Sequence, residues 1–158
     1  MDQPEQSLFR IERTNLAVAC SVAMAGLLPV ALYQLRLIHH LPDPPGRYFD
    51  SERIISSKAA HPFGIPDSLL GLASYGTTLA LVVGAGAPGP VRTLLVAKLL
   101  IDSGMAGFNT ARQVVSFRRI CSWCMVTAAA TAAMAYAGRS LLLRTCTELT
   151  DDAPFLAG

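Results

Sequence analysis

The chain has 158 residues, of which 52% are hydrophobic and only 15% are charged. Soluble domains typically have about 25% charged residues, so this composition predicts an all-α integral membrane protein. A net charge of +2, without a basic cluster interleaved with aromatic residues, argues against a nucleic-acid partner. The four cysteines do not by number imply a disulfide framework, because that inference applies to short secreted domains.

The first apolar segment covers residues 14–35 and contains no charged residue. This is about the 20 residues that a helix needs to cross the hydrocarbon layer. Arg10 and Arg13 precede it in a polar N-terminal stretch that we expect at the membrane surface. The length and flanking charges predict a retained anchor rather than a signal peptide. Pro29 is a candidate kink within it, and Cys20 is interpreted as a packing residue.

The longest polar connection, residues 36–62, follows. Asp50 or Ser51 would cap a short helix that extends toward Lys58. His39 and His40 suggest a metal site at first sight, but no cysteine lies nearby and the next histidine is His61. We therefore predict a solvated histidine pair and no metal site.

The second and third apolar segments cover residues 66–84 and 93–111, separated by a glycine- and proline-rich turn. Pro66 suits the first turn of a helix, where its missing N–H is no loss. The third segment contains Lys98 and Asp102, whose spacing places them on one face of a helix. Pairing would offset part of the cost of charges at membrane depth, and Lys98 could also reach the near surface.

The fourth segment covers residues 120–143 and starts with Cys121-Ser122-Trp123-Cys124. On the first turn of a helix this spacing places two sulfurs on one face, where the helix dipole favours the thiolate. The motif indicates a redox pair, but packing cysteines and half of a zinc site remain alternatives. Cys146, in the polar tail of residues 144–158, lies about a membrane thickness away and is a poor partner for the pair.

Four crossings predict a four-transmembrane-helix bundle with both termini on one side. The long first loop and the Cys-x-x-Cys then lie on the other side. Counting lysines and arginines does not settle which side is cytoplasmic, and it leans weakly against an extracytoplasmic Cys-x-x-Cys.

Several motifs together resemble a bacterial vitamin K epoxide reductase homologue over residues 14–140. These are Ser57, the Phe-Gly-Ile-Pro of residues 63–66, Gly71, Tyr75 and the Cys-x-x-Cys. The resemblance implies a four-helix bundle around a quinone, either ubiquinone or menaquinone, in the bacterial cytoplasmic membrane. It also implies that the redox pair is extracytoplasmic and that electrons pass from a thioredoxin-like or other thiol protein to the quinone.

The resemblance assigns roles to single residues. Cys124 would face the quinone, Cys121 would exchange with an incoming thiol, and Ser57 and Phe63 would lie near the quinone ring. Lys98 and Asp102 would be either a proton path or quinone contact, or simply a neutralised pair that faces other helices.

The sequence departs from the family pattern in the first loop. The family has two cysteines there that relay electrons to the membrane-embedded pair, whereas residues 36–62 contain none and the later position is Ser51. Two hypotheses follow. Either a partner thiol attacks the Cys121–Cys124 disulfide directly, or the chain is a catalytically degenerate subunit or assembly factor of a larger membrane complex.

Overall fold

The structure, a computed structural model, describes the backbone of residues 3–84 and 90–151 and the side chains of residues 10–84, 90–145 and 147. Its long elements are all helical, which confirms the all-α prediction. The predicted turn at 85–89, the end of the polar tail and the side chain of Cys146 lie outside the described residues. The helices are α1 (Gln3–Gln34), α2 (Ser51–Ile55), α3 (Asp67–Gly84), α4 (Pro90–Arg112), α5 (Ser122–Ala137) and α6 (Arg139–Asp151).

Helix α1 is the centre of the bundle, since it packs against both α5 and α3, while α4 packs against α3 and α5. Small residues allow these close approaches. A Cβ atom on Gly26 would lie 2.8 Å from Thr127 Oγ1, and one on Gly71 would lie 2.7 Å from Leu27 Cδ1. The fully buried side chains of the core come from all four long helices and include Leu16, Cys20, Val82, Leu95 and Met134.

Two described helices are each long and apolar enough to cross a membrane: α1 over Arg10–Gln34, and α3. Helices α5 and α6 would form a third span through Thr145 if they are taken together, and they meet at a bend of 49°. The bundle also carries many exposed apolar side chains, such as Val18, Leu28, Leu94, Leu100 and Ile101, as a lipid-facing surface requires. The fourth crossing, over the charged α4, remains a prediction.

The helix boundaries differ from the sequence pattern at two places. Helix α1 begins at Gln3 rather than near residue 14, and it continues through Pro29. The segment predicted over 120–143 is divided at Gly138, where α5 ends and α6 begins. A Cβ on Gly138 would lie 2.7 Å from Leu99 Cδ1, so a glycine here lets α4 approach the bend.

Residues 41–57, which we call the lid, fold back over the start of α5. Leu41, Ile54 and Ile55 form a small buried cluster with Val30 of α1 and with Cys121. The short helix α2 is capped by the side chain of Asp50, which accepts a hydrogen bond from the Arg53 amide at 3.3 Å. Gln34, at the end of α1, donates to the Ile55 carbonyl at 3.0 Å. The lid also pairs with Ile120 through two backbone hydrogen bonds, from the Ile120 amide to the Tyr48 carbonyl at 2.8 Å and from the Asp50 amide to the Ile120 carbonyl at 3.2 Å. It is thus tied to the bundle by an apolar cluster, by this backbone pairing and by side-chain hydrogen bonds.

Candidate active site

The two sulfurs of the Cys-x-x-Cys have different surroundings at the start of α5. Cys121 is the N-cap residue, and its sulfur accepts a hydrogen bond from the Cys124 amide at 3.1 Å. The Cys121 amide in turn donates to Gln113 Oε1 at 2.9 Å. Cys121 has 0% of its surface exposed, whereas Cys124 is partly exposed and lines an internal cavity. The cavity therefore reaches Cys124, and the lid covers Cys121.

The surroundings of Cys121 favour its thiolate form. Its sulfur lies at the N-terminus of α5, where the helix dipole and the hydrogen bond from the Cys124 amide stabilise a negative charge. Because the thiolate is the nucleophile in disulfide exchange, this arrangement suits Cys121 to redox chemistry.

Asp43 joins the lid to the first turn of α5. Its carboxylate accepts hydrogen bonds from the Ser51 amide at 2.7 Å, from the Ser51 hydroxyl at 2.5 Å and from the Ser122 hydroxyl at 2.6 Å. The Ser122 amide donates to Ser51 Oγ at 3.0 Å. Burial alone would raise the pKa of Asp43, but these hydrogen bonds from Ser122 and Ser51 outweigh it and hold the pKa below its usual value. The lid is therefore held over Cys121 by an ionised carboxylate.

The cavity lies between α1, α3, α4 and α5, with Ile54 and Ile55 of the lid forming part of its wall. Its volume is about 440 Å³, in the size range of small-molecule sites. Its walls are largely apolar, with Leu27, Val30, Leu70, Met105, Ala106 and Phe108 among them. Polar groups are concentrated in two places. We call these the outer end, next to Cys124, and the inner end, deeper in the bundle.

The outer end combines Cys124 with Asp67, Asn109, Arg112 and Gln113. Asp67 is the first residue of α3 and Arg112 is the last residue of α4, so both lie at the same end of the antiparallel helices as the first turn of α5. Asp67 Oδ1 accepts a hydrogen bond from Gln34 Nε2 at 3.0 Å. The Nε atom of Arg112 is buried and has no hydrogen-bond partner among the described residues. The outer end thus offers an unused donor to an acceptor oxygen.

The inner end contains Ser74, Tyr75 and Asp102. Lys98 and Asp102 form the ion pair that their spacing predicts, and Asp102 is only 5% exposed. Ser74 donates to Asp102 Oδ1 at 2.9 Å, and Thr78 donates to Asp102 Oδ2 at 2.6 Å. Each oxygen of the buried carboxylate therefore has at least one partner, as a buried charge requires.

The structure does not bring Ser57 and Phe63 to the cavity. The Ser57 hydroxyl donates to the Ile54 carbonyl at 2.7 Å, within the lid. Phe63 has a positive φ of 57° and its side chain is fully exposed. Neither residue is among the described residues that line the cavity. Their assignment to the quinone site remains a prediction from the family resemblance.

The remaining residues considered in the sequence analysis are the histidine pair and Cys20. His40 lies 2.8 Å from Glu52 Oε1, and His39 is exposed. Within the described residues there is no group of three or more His, Cys, Asp or Glu side chains that could hold a metal. Cys20 is fully buried and donates to the Tyr75 carbonyl at 3.1 Å, as a packing residue does.

Sequence reasoning missed Asp43, Asp67, Arg112 and Gln113. Asp43 lay in a proline-rich turn, and Asp67 was the polar residue after Pro66. A polar side chain at the end of a predicted membrane helix is ordinary, so no local signal marked these residues. Only the antiparallel packing of the helices brings three of them to the cavity beside Cys124.

The fold and the site place the protein in the class of helical membrane proteins that carry a thiol pair beside an apolar cavity. The sequence matches the profile of the Vitamin K epoxide reductase family over residues 15–137, and the chain belongs to this family. Among curated proteins, none matches the chain. Membership confirms the family resemblance and an integral membrane location.

Proposed function

We propose that the protein is a quinone-linked thiol oxidoreductase of the bacterial cytoplasmic membrane. The observation that carries the proposal is the position of Cys124, which lines a largely apolar cavity and whose amide donates to the Cys121 sulfur at 3.1 Å. An apolar cavity inside the membrane suits a lipid-soluble electron acceptor, either ubiquinone or menaquinone. The quinone is a substrate in this scheme and not a resident cofactor.

The reaction balances with the groups at the site. The dithiol of Cys121 and Cys124 loses two electrons and two protons and becomes a disulfide, while the quinone takes up both and becomes a quinol. At the outer end, the unpaired donor of Arg112 would hydrogen-bond to one quinone oxygen and orient the ring beside Cys124.

A partner thiol must then reduce the Cys121–Cys124 disulfide. Because residues 36–62 contain no cysteine, the partner has no relay in the lid and must attack Cys121 directly. The lid covers Cys121 completely in this structure, so the attack requires the lid to open. We propose a thioredoxin-like or other thiol protein as the partner, on the extracytoplasmic side of a four-crossing bundle.

Quinone reduction by the purified protein with an added dithiol tests the proposal. We expect dithiol-driven quinone reduction by the native chain and a loss to background in Cys124→Ala. Cys20→Ala is the matched control, because Cys20 is also a buried thiol but lies in the bundle core and not in the cavity lining. A native rate no higher than that of Cys124→Ala would overturn the proposal.

One observation favours a second function, that of a subunit or assembly factor in a larger membrane complex. Cys121 is fully buried, and Ser51 stands where the family has a loop cysteine. Stable co-purification of other membrane subunits, together with no quinone reduction, would support this second function.

A further inference from the structure

The inner end of the cavity contains a hydrogen-bonded chain that the proposed reaction has not used. Lys98 Nζ donates to Ser74 Oγ at 2.7 Å, and it also forms the ion pair with Asp102. Ser74 and Asp102 line the cavity, whereas Lys98 is not among the described residues that line it. Ser74 therefore connects an ammonium group behind the cavity wall to the cavity itself.

The position of Ser74 suits a ligand that also reaches the outer end. Ser74 contacts Asp102, which lies ten residues before Arg112 on α4, about 15 Å along the helix axis. Because side chains tilt toward the N-terminus of their helix, the long Arg112 side chain shortens this gap to about 10 Å. A p-quinone ring that accepts a hydrogen bond at each of its two oxygens has about this span. A ring held by Arg112 at the outer end would thus direct its second oxygen toward Ser74.

Hydroxyl groups are suitable proton carriers at this point, because a serine can accept one proton while it donates another. The Lys98 side chain is 17% exposed, and a lysine can extend its long side chain to the near membrane surface, where it recovers a proton. Asp102 holds the ammonium group in place through the ion pair. The cluster has the parts of a proton path: an exchangeable source, a carrier and a fixed counter-charge.

We propose that Ser74 delivers a proton from Lys98 to the quinone oxygen remote from the cysteine pair. The inference rests on the proposed quinone reduction and names a catalytic residue for it. As the two electrons leave the sulfurs, the near oxygen takes one thiol proton. The Ser74 hydroxyl rotates from Asp102 Oδ1, which keeps its ion pair with Lys98, to the remote oxygen and gives up its proton there. Lys98 replaces that proton and is then reprotonated from solvent, while the second thiol proton is released, so no net proton is gained or lost.

Two hydroxyl residues on α3 provide the test, because each donates to one oxygen of Asp102 and only one of them lines the cavity. We expect Ser74→Ala to lower kcat for quinone reduction by roughly 100-fold, the low end of general acid catalysis. Thr78→Val should stay within about twofold of the native rate. Ser74→Thr, which keeps a hydroxyl, should recover most of the activity.

A second measurement separates proton delivery from a structural role. If Lys98 and Ser74 act in series, Lys98→Gln should be slowed to a similar degree, and the Lys98→Gln/Ser74→Ala double variant should be no slower than either single variant. Reduction of the Cys121–Cys124 disulfide by a dithiol, measured without quinone, should be unchanged in all of them.

The outcomes distinguish the two proposals. If the native protein reduces quinone and Ser74→Ala is as active as Thr78→Val, the proton path is wrong and the oxidoreductase proposal stands. If Ser74→Ala and Thr78→Val slow the reaction equally, Ser74 serves only to hold Asp102, and the proton path is again wrong. If the native protein does not reduce quinone, both proposals fall.

Discussion

The lid and the bundle hold the two cysteines by different means. The bundle packs four long helices around buried apolar side chains and close glycine contacts, and it encloses the cavity beside Cys124. The lid is short and covers Cys121 with three apolar side chains and hydrogen bonds centred on Asp43. Small, partly exposed elements of this kind open at lower free energy than a packed core.

This difference separates two functions that the proposed reaction requires of the cysteine pair. Contact with a lipid-soluble acceptor requires a stable apolar cavity, whereas exchange with a protein thiol requires a surface that opens. The bundle should therefore determine the reaction at Cys124, and the lid should determine access to Cys121. The predictions below change one region at a time, in variants whose other cysteines are replaced by alanine unless stated.

The largest effect should come from Ser51→Cys with Cys121 retained. Ser51 is fully buried, and its hydroxyl accepts a hydrogen bond from the amide of Ser122, the residue next to Cys121. The introduced sulfur should therefore form a disulfide with Cys121 and fix the lid in place. We expect labelling of Cys121 by a small maleimide to be lost under oxidising conditions and restored by reduction. Mass spectrometry of proteolytic fragments identifies the linkage. Ser56→Cys is the control, since Ser56 follows α2 but is exposed; equal cross-linking from both positions would contradict a closed lid.

Asp43→Asn should open the lid without affecting the bundle. The amide keeps one acceptor oxygen but loses the charge that three hydrogen bonds from Ser51 and Ser122 share. Hydrogen bonds to a charged group contribute about 1.5–3 kcal/mol, which corresponds to roughly a 10- to 100-fold rise in maleimide labelling of Cys121. Lys58→Gln, an exposed change just after the lid, should label at the native rate. An unchanged rate in Asp43→Asn would show that the apolar cluster and the backbone hydrogen bonds to Ile120 hold the lid without the carboxylate.

Gly26→Ala should destabilise the bundle and leave the lid closed. Its Cβ would lie 2.8 Å from Thr127 Oγ1 and 3.3 Å from the Thr127 backbone nitrogen, so α1 and α5 must separate. We expect a net loss of about 1–2 kcal/mol in the free energy of unfolding, since overpacking is partly offset by the better helix propensity of alanine. Thermal unfolding in detergent measures this loss. Gly76→Ala, where nothing lies within 4 Å, should cause no loss, and neither change should alter Cys121 labelling.

The contrast between bundle and lid also separates what the sequence predicts from what it does not. Helices α1 and α3 follow from long runs without charge, and the Lys98–Asp102 pair follows from its spacing. The break at Gly138 was not predicted, because a single glycine inside an apolar run is compatible with a continuous helix.

The Cys-x-x-Cys was identified as a candidate from its spacing, but the contacts that cover it were not. Asp43 and Ser122 are 79 residues apart, and Ser51 and Ser122 are 71 residues apart. No periodic pattern in a sequence indicates such pairs, since they meet only after the lid folds back over α5. The burial of Cys121 therefore depends on tertiary contacts that the sequence does not reveal. This burial makes lid opening a step of the proposed reaction.

The smallest effect should be a pH response of the lid, reported by Trp123. This is the only tryptophan of the chain, and its Nε1 donates to the Pro42 carbonyl at 3.1 Å, so its fluorescence should change when the lid opens. Since the pKa of Asp43 is lowered in the folded state, the carboxylate stabilises the closed lid above the ordinary pKa of about 4, and this contribution is lost as the pH falls through the lowered value. Emission should stay constant from pH 7 to about 4 and shift to longer wavelength below it. In Asp43→Asn the shift should already be present at pH 7; a native-like acid transition in that variant would assign the response to another carboxylate.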